Sequence, residues 1–167
     1  LTPSQGGAAR DQLTKAGVPS YVSAAGCDLK GAGGRVVDQF ADLENFGKIF
    51  GVEDRARALV TKLKAQLADV QRRVGDRPKV PVFEGTSYNG EYSPVSGVGL
   101  DALGLAGGKS IFPDVKDGNA SVSKETITAR DPQAIVDSYS SATVDKAKAL
   151  AELKDTFPTV GAIRSNR

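Results

Sequence analysis

The chain has 167 residues, 40% apolar and 25% charged, a composition that supports a packed core for one domain, or one and a half small lobes, and argues against wholesale disorder. Its formal net charge of +2, with no basic run interleaved with aromatics, argues against nucleic acid as a partner, and no apolar run approaches the ~20 residues of a membrane span. The absence of histidine removes the usual general base and the commonest transition-metal ligand. The single cysteine, Cys27, permits neither an intrachain disulfide nor a thiolate zinc cluster.

Leu1 to Gly17 reads as a short helix with Ser4 as N-cap and Gly17 as its stop. Val18 to Ser23 reads as a strand, with Pro19 near its start where a missing N–H is tolerated. A helix and then a strand make half of a βαβ unit, and the chain starts at Leu1 without methionine, so the expectation is a sequence that begins partway through a domain. Ala25-Gly26-Cys27 resembles the end of a lipoprotein signal, but Asp11, Lys15, Gly17 and Pro19 stand where an uninterrupted apolar region is required. Cys27 is read instead as a buried small residue or the partner of a cysteine outside this chain.

Gly26 to Gly34 is a glycine-rich loop. Val36 to Phe50 carries Val36, Val37, Phe40, Leu43, Phe46, Ile49 and Phe50 at helical spacing. After Gly51 comes the strongest pattern. From Val52 to Val74, the residues Ala56, Leu59, Val60, Leu63, Leu67, Val70 and Val74 form one apolar stripe at three- and four-residue steps. Glu53 and Asp54 suit the positive helix start, Arg72 and Arg73 the negative end, Gly75 closes it and Pro78 prevents its return. Such a helix is either an ordinary surface helix on one core or a spine between two lobes.

Lys79 to Phe83 is a short strand whose Pro81 favours an edge or a bulge. Glu84 to Gly99 reads as a long polar loop. A short helix, Leu100 to Ala106, stops at Gly107-Gly108. Ile111-Phe112 adds a brief strand, and Asp114 to Ser121 is another polar loop. A helix from Ser123 to Arg130 has Ser123 as N-cap and ends at Asp131-Pro132. Ala134 to Val136 is a strand, and Thr143 to Leu153 a helix with Ala147, Leu150, Ala151 and Leu153 inward. Val160 to Ile163 reads as the start of a further strand. Alternating strands and helices imply an α/β layer fold with a largely parallel sheet, and ligands of such sheets sit beyond the C-terminal strand ends. The segments after Phe83 and Val136 leave from those ends.

Gly107-Gly108-Lys109-Ser110 is not a phosphate loop: Leu103 stands where the motif needs glycine, and the run closes a helix where it should open one. No catalytic residues are assigned. Glu84 and Glu91 share a loop and are the one candidate acid–base pair, the basis of an alternative reading as a hydrolase- or transferase-type enzyme. Tyr88 and Tyr92 are two of four tyrosines in the chain, and the pattern places them at the expected sheet mouth. They either grip a bulky, partly polar ligand or pack their loop onto the domain.

The order of segments from Gly51 onward resembles the ABC-transporter substrate-binding proteins that carry ferric siderophores, haem or cobalamin. Phe50-Gly51-Val52-Glu53 leads into the long helix with Ala56 and Leu59 in step, and Pro78-Lys79-Val80 follows it. Then come Gly107-Gly108-Lys109-Ser110-Ile111-Phe112, Val122-Ser123-Lys124-Glu125 and Asp131-Pro132-Gln133-Ala134-Ile135-Val136. Ser110 stands where asparagine is usual. The resemblance implies two α/β lobes joined by the backbone helix. Residues 1–50 would end the N-lobe and lead in, 51–77 form the interlobe helix, and 78–167 form a mostly parallel three-layer C-lobe, incomplete at its end. It implies Tyr88, Tyr92, Asn119 and Tyr139 facing the ligand, Glu125 docking on the permease, no resident cofactor or metal, and an extracytoplasmic protein, periplasmic or held as a lipoprotein by an anchor outside this chain. Without histidine the chain offers haem a tyrosine but no histidine ligand, and the absence of tryptophan weakens an aromatic cradle for cobalamin, so a ferric siderophore is the favoured ligand. Self-association through an uncovered lobe surface is the third expectation.

Overall fold

The computed structural model describes residues 9–23, 34–88, 90–115, 120–138 and 145–165. In chain order the elements are α1 (Arg10–Lys15), α2 (Val36–Ile49), α3 (Glu53–Val74), β1 (Val80–Tyr88), β2 (Glu91–Pro94), α4 (Gly97–Leu105), β3 (Gly108–Ser110), α5 (Lys124–Ala129), β4 (Ala134–Asp137), α6 (Lys146–Thr156) and α7 (Gly161–Arg164). The long stripe does form one helix. Its 22 residues span roughly 33 Å at ~1.5 Å per residue. Gly51, at φ 65°, makes the corner before it. The Val52 N–H donates to the Gly47 carbonyl at 2.8 Å, so the left-handed residue closes α2 and aims the chain into α3.

Every strand pairs with β1. Strand β3 runs parallel to its first residues, with Val80 opposite Gly108 and Val82 opposite Ser110. Strand β4 runs parallel along Val82 to Gly85, and β2 returns antiparallel along Gly85 to Tyr88. Ile111 N–H donates to the Val82 carbonyl and Val95 N–H to that of Glu84, whereas Gln133 and Ser138 donate to Pro81 and Gly85. Even-numbered residues of β1 therefore bond toward β3 and β2, odd-numbered ones toward β4. Strand β1 is the centre of the sheet, and the sheet is mixed.

Alternation along β1 divides the layers. Phe83 faces the main core with Phe112, Ile127, Phe157, Val160 and Ala162, joined by Ile135 of β4 and Tyr92 of β2. Each fully buried large side chain there contributes about 2 kcal/mol or more. Val82 points to the opposite face and is also buried. On the α4 side, Leu103 packs so closely over Gly108 that a Cβ there would lie 2.4 Å from Leu103 Cδ1.

Several sequence expectations are corrected. Val18 to Ser23 is not a strand: no described strand runs beside it, and its polar groups go to α2 instead. Pro81 lies in the central strand and not at an edge or bulge. Its carbonyl accepts from Gln133, just ahead of β4, so its missing N–H falls before the β4 ladder starts. Residues 84–94 are mostly a hairpin, not a loop, because Thr86, Ser87 and Tyr92 suit a strand with one solvent-facing side. The brief strand is Gly108–Ser110, ahead of Ile111. Val160–Ile163 is not a strand: Gly161 and Ala162 open the turn α7, whose N–H groups donate to the Asp131 carboxylate at 2.6 Å and the Pro132 carbonyl at 2.9 Å. In α6, Ala147, Leu150 and Ala151 are exposed and only Leu153 packs inward. The predicted first helix shortens to α1 among the described residues, Ser4 and Cys27 lying outside them, while Gly17 closes it at φ 70° as expected.

Helix α3 packs on α2 through Ala56, Val60, Leu63 and Leu67, whereas Leu59 and Val70 of the same stripe are 43% and 40% exposed. The closest approach is at Gly47, which is buried; a Cβ there would meet Ala56 Cβ at 2.5 Å. Gly47→Val is expected to wedge the two helices apart at a cost of about 2 kcal/mol, lowering Tm by roughly 4–8 °C for a chain of this size. Thermal denaturation followed by circular dichroism checks this, and an unchanged midpoint would refute the close packing.

Candidate functional site

The parallel strands β1 and β4 end together, Gly85 opposite Asp137, and the β1–β2 hairpin projects beyond them. The turn is made at Gly90, at φ 81°, after Tyr88 pairs with Glu91. From β2 the chain passes through Val95 and Ser96 into α4. This rim is therefore built from the end of β1, the start of β2, the end of β4 and the entry to α4.

The expected ligand residues divide unevenly. Asn119 and Tyr139 lie outside the described residues, and of Tyr88 only the backbone is described, at the last step of β1. Tyr92 is half-buried. Its ring packs edge-on against Phe83 at 6.1 Å and Phe157 at 5.4 Å, and its carbonyl accepts from Val122 N–H at 2.8 Å. The ring thus ties the hairpin to the main core, the packing role that the sequence left open beside ligand contact.

Glu84 stands on the face of β1 opposite Phe83, in register with Val136, one step before the parallel ladder ends. It is half-buried and, among the described residues, has no hydrogen-bond or ion-pair partner. Burial raises its carboxyl above the usual glutamate range. Glu91 is exposed and accepts from the Ser121 hydroxyl at 3.0 Å. Since Glu91 lies opposite Tyr88, four positions along β1 from Glu84, roughly 13 Å of strand separates the two backbones. Carboxylates that flank one scissile bond stand about 5–9.5 Å apart, and Glu91 turns to Ser121 instead of toward Glu84. Nothing here assembles an acid–base pair. Among the described residues no cluster of three or more His, Cys, Asp or Glu is arranged to hold a metal ion.

Glu125 is fully exposed in the first turn of α5, whose N-cap Ser123 accepts from Thr126 N–H at 3.2 Å. The Glu125 backbone N–H, then the Ser123 hydroxyl and the Lys124 charge, hold its carboxyl below the usual range. It is an ionised group projecting at a fixed helix start, available to a cationic surface.

Sequence reasoning missed one buried polar knot. Asp42 is 4% exposed. Its carboxylate accepts from the Tyr21 hydroxyl at 2.5 Å and the Ser23 hydroxyl at 2.7 Å, and Asn45 donates to the Tyr21 oxygen at 3.0 Å. Tyr21 also packs edge-on against Phe46 at 5.1 Å. The signal was present: Asp42 lies one turn before Phe46, on the apolar side of α2.

The model of the periplasmic binding protein family matches residues 5–167. No curated protein matches the chain. Among solved structures, a periplasmic binding protein from Veillonella parvula superposes with TM-score 0.78 at 22% identity, covering 94% of this chain and 55% of that one. An ABC-type Fe3+-hydroxamate transport system protein from Saccharomonospora viridis gives 0.73 at 22% identity over 96% and 56%. A periplasmic vitamin B12 binding protein from Vibrio cholerae gives 0.73 at 15% identity over 99% and 58%. The chain spans little more than half the length of these structures, which share its fold.

Because the folded carboxyl of Glu84 is raised above its unfolded value, the native state holds its proton more tightly. Its protonated form favours folding below the ordinary glutamate pKa, and that contribution disappears as pH rises through the folded value. Glu84→Gln is therefore expected to be more stable than the parent near neutral pH and to lose that advantage in acid. Denaturant midpoints of both proteins across the acid range test this; a gap that widens toward low pH would contradict it.

Proposed function

The chain belongs to the periplasmic binding protein family, and we propose that it forms part of the substrate-binding component of an ABC importer, capturing a ferric siderophore and delivering it to the permease. The carrying observation is the family match along almost the whole chain, with α3 following in sequence the helix that carries the Asp42 knot and leading into the β1-centred sheet. In this reading residues 1–50 end one lobe, α3 spans between lobes, and residues 78–167 form most of the second. The ligand meets the rim of β1, β2 and β4, with Tyr88, Asn119, Tyr139 and the hydroxyl of Tyr92 contacting it. The protein works outside the cytoplasm, as the family implies, and holds no catalytic site.

The likeness to a vitamin B12 binding protein over 99% of the chain keeps cobalamin as a second ligand reading, with haem beside it. An absorbance spectrum of the purified protein separates these classes, since a ferric chelate, haem and a corrin absorb at different wavelengths. Glu125 docks on cationic residues of the permease through its exposed, ionised carboxylate. Glu125→Arg is expected to leave the ligand Kd within about twofold while reducing importer-dependent uptake by more than tenfold, because a like-charge juxtaposition replaces an attractive one. Uptake at the parental rate would remove Glu125 from the docking surface.

A further inference from the structure

The charge of the rim is at odds with that of the chain. The protein carries 22 Lys and Arg against 20 Asp and Glu, yet Val80 to Gly108 contains Glu84, Glu91 and Asp101 and no Lys or Arg. Ala134 to Asp145 contains Asp137 and Asp145 and none either. These are the segments that enter and leave the C-terminal ends of β1 and β4. Some of the acids are committed to structure. Asp101 accepts from Val36 N–H at 2.8 Å, and Asp145 caps α6 through Ala147 and Lys148 N–H. Glu84 is not committed: it is half-buried at the end of the ladder with no partner among the described residues. Glu91 accepts, among the described residues, from one serine hydroxyl at 3.0 Å.

Lys79 and Lys109, which bound the first segment, lie at the opposite end of β1, Lys109 opposite Pro81. Lys146, which follows the second, is exposed in the first turn of α6. Arg130, Arg35 and Lys124 are engaged or turned elsewhere. Arg130 donates to the Ile111 carbonyl at 2.5 Å and to Asp114 at 3.1 Å, and its guanidinium lies 4.3 Å from the Phe112 ring centroid. Arg35 pairs with Asp38 at 3.1 Å. Lys124 is exposed beside Glu125. The loop after β3 contributes one lysine in sequence, Lys116, between Asp114 and Asp117. Among the described residues of this rim, an anionic ligand would meet two carboxylates and no arginine fork to neutralise it, in a partly desolvated setting where like charges are poorly screened.

We infer that the ligand taken at this rim carries no net negative charge, and that Glu84 and Glu91 act as specificity residues against anionic ligands. Resting on the proposed binding function, this selects among iron chelates by chemistry. A ferric trihydroxamate, neutral or carrying a cationic amine, fits the rim, and a ferric tris-catecholate, a trianion, does not. An ammonium or amide donor on the chelate would also give Glu84 the partner it lacks.

Tyrosine fluorescence of the full protein, titrated near neutral pH, tests this with three probes: a cationic and a neutral ferric trihydroxamate, and a ferric tris-catecholate. Either hydroxamate is expected to bind at least about tenfold more tightly than the catecholate, as expected when like charges meet in a partly desolvated site. The Glu84→Gln, Glu91→Gln double variant is expected to narrow that gap by raising catecholate affinity, a change that mere loosening of the fold would not produce. Preferred binding of the catecholate, or a gap unmoved in the double variant, overturns the charge inference and leaves the binding-protein reading intact. Binding of neutral cobalamin with no iron chelate bound overturns the siderophore reading and supports the charge inference. Preferred binding of haem, with its two propionates, overturns the charge inference.

Discussion

The structure depends on β1, to which every other described strand pairs. Its first residues hold β3, its middle holds β4, and its last four hold β2. Because β3 and β2 lie one after the other on the same side, a single nine-residue strand supplies both the parallel sheet and the hairpin that projects from it. The division follows from what each stretch carries. Val80 to Phe83 is apolar and buries Val82 and Phe83 on opposite faces, whereas Thr86 and Ser87 are exposed. Glu84 and Gly85 mark the change. Gly85 leaves room for the Ser93 carbonyl, 2.4 Å from where a Cβ would stand, so the hairpin closes tightly onto the sheet just where the parallel ladder ends.

That geometry explains why Tyr92 and Glu84 differ in fate although both were legible as residues of one polar segment. Tyr92 pairs with Ser87 and shares the face of Phe83, so its ring is drawn into the aromatic core. Glu84 shares the face of Val82 and is drawn into partial burial without a counter-charge. A loop would have exposed both. Reading residues 84–94 as a loop hid the alternation, and glycine content was the misleading signal: Gly85 serves a close backbone approach and Gly90 a turn, neither of which ends the strand early.

The long-range order was legible because it is written in local signals. The α3 stripe, its charged ends and Gly75, the Ser123 cap and the Gly17 stop all act within one or two turns of chain, and each is found as expected. What was not legible depends on distant partners. Val18 to Ser23 has a strand's composition, but with no described strand beside it Tyr21 and Ser23 turn to Asp42. Val160 to Ile163 is likewise apolar and short, and the Asp131 carboxylate, φ 42° at its own residue, decides that it turns as a helix. At the candidate site the legible part was the location, the mouth of β1 and β4. The register that separates Glu84 from Glu91 was not, because it is set by the hairpin turn.

Helix α3 shows what such a register of contacts leaves over. Its inward stripe packs on α2, closely enough that Gly47 admits no Cβ, yet Leu59 and Val70 remain exposed on the same helix, as do Phe46 and Ile49 of α2 and Phe50 at its C-terminal end. Phe46 and Phe50 stack at 6.3 Å and Phe46 meets Tyr21 at 5.1 Å, so these three rings form one partly exposed aromatic cluster. The Asp42 knot ties Tyr21 to α2: the buried carboxylate accepts from the Tyr21 and Ser23 hydroxyls, and losing those bonds would cost part of its compensation for burial. The segment ahead of α2 is therefore bound to the helix pair, and the helix pair to the β1-centred sheet through α4. Three physical links therefore join the two halves: the Val36–Asp101 bond, 2.8 Å long and joining α2 directly to α4, the short chain from α3 into β1, and the approach of Val74 to Gly107 beside β3.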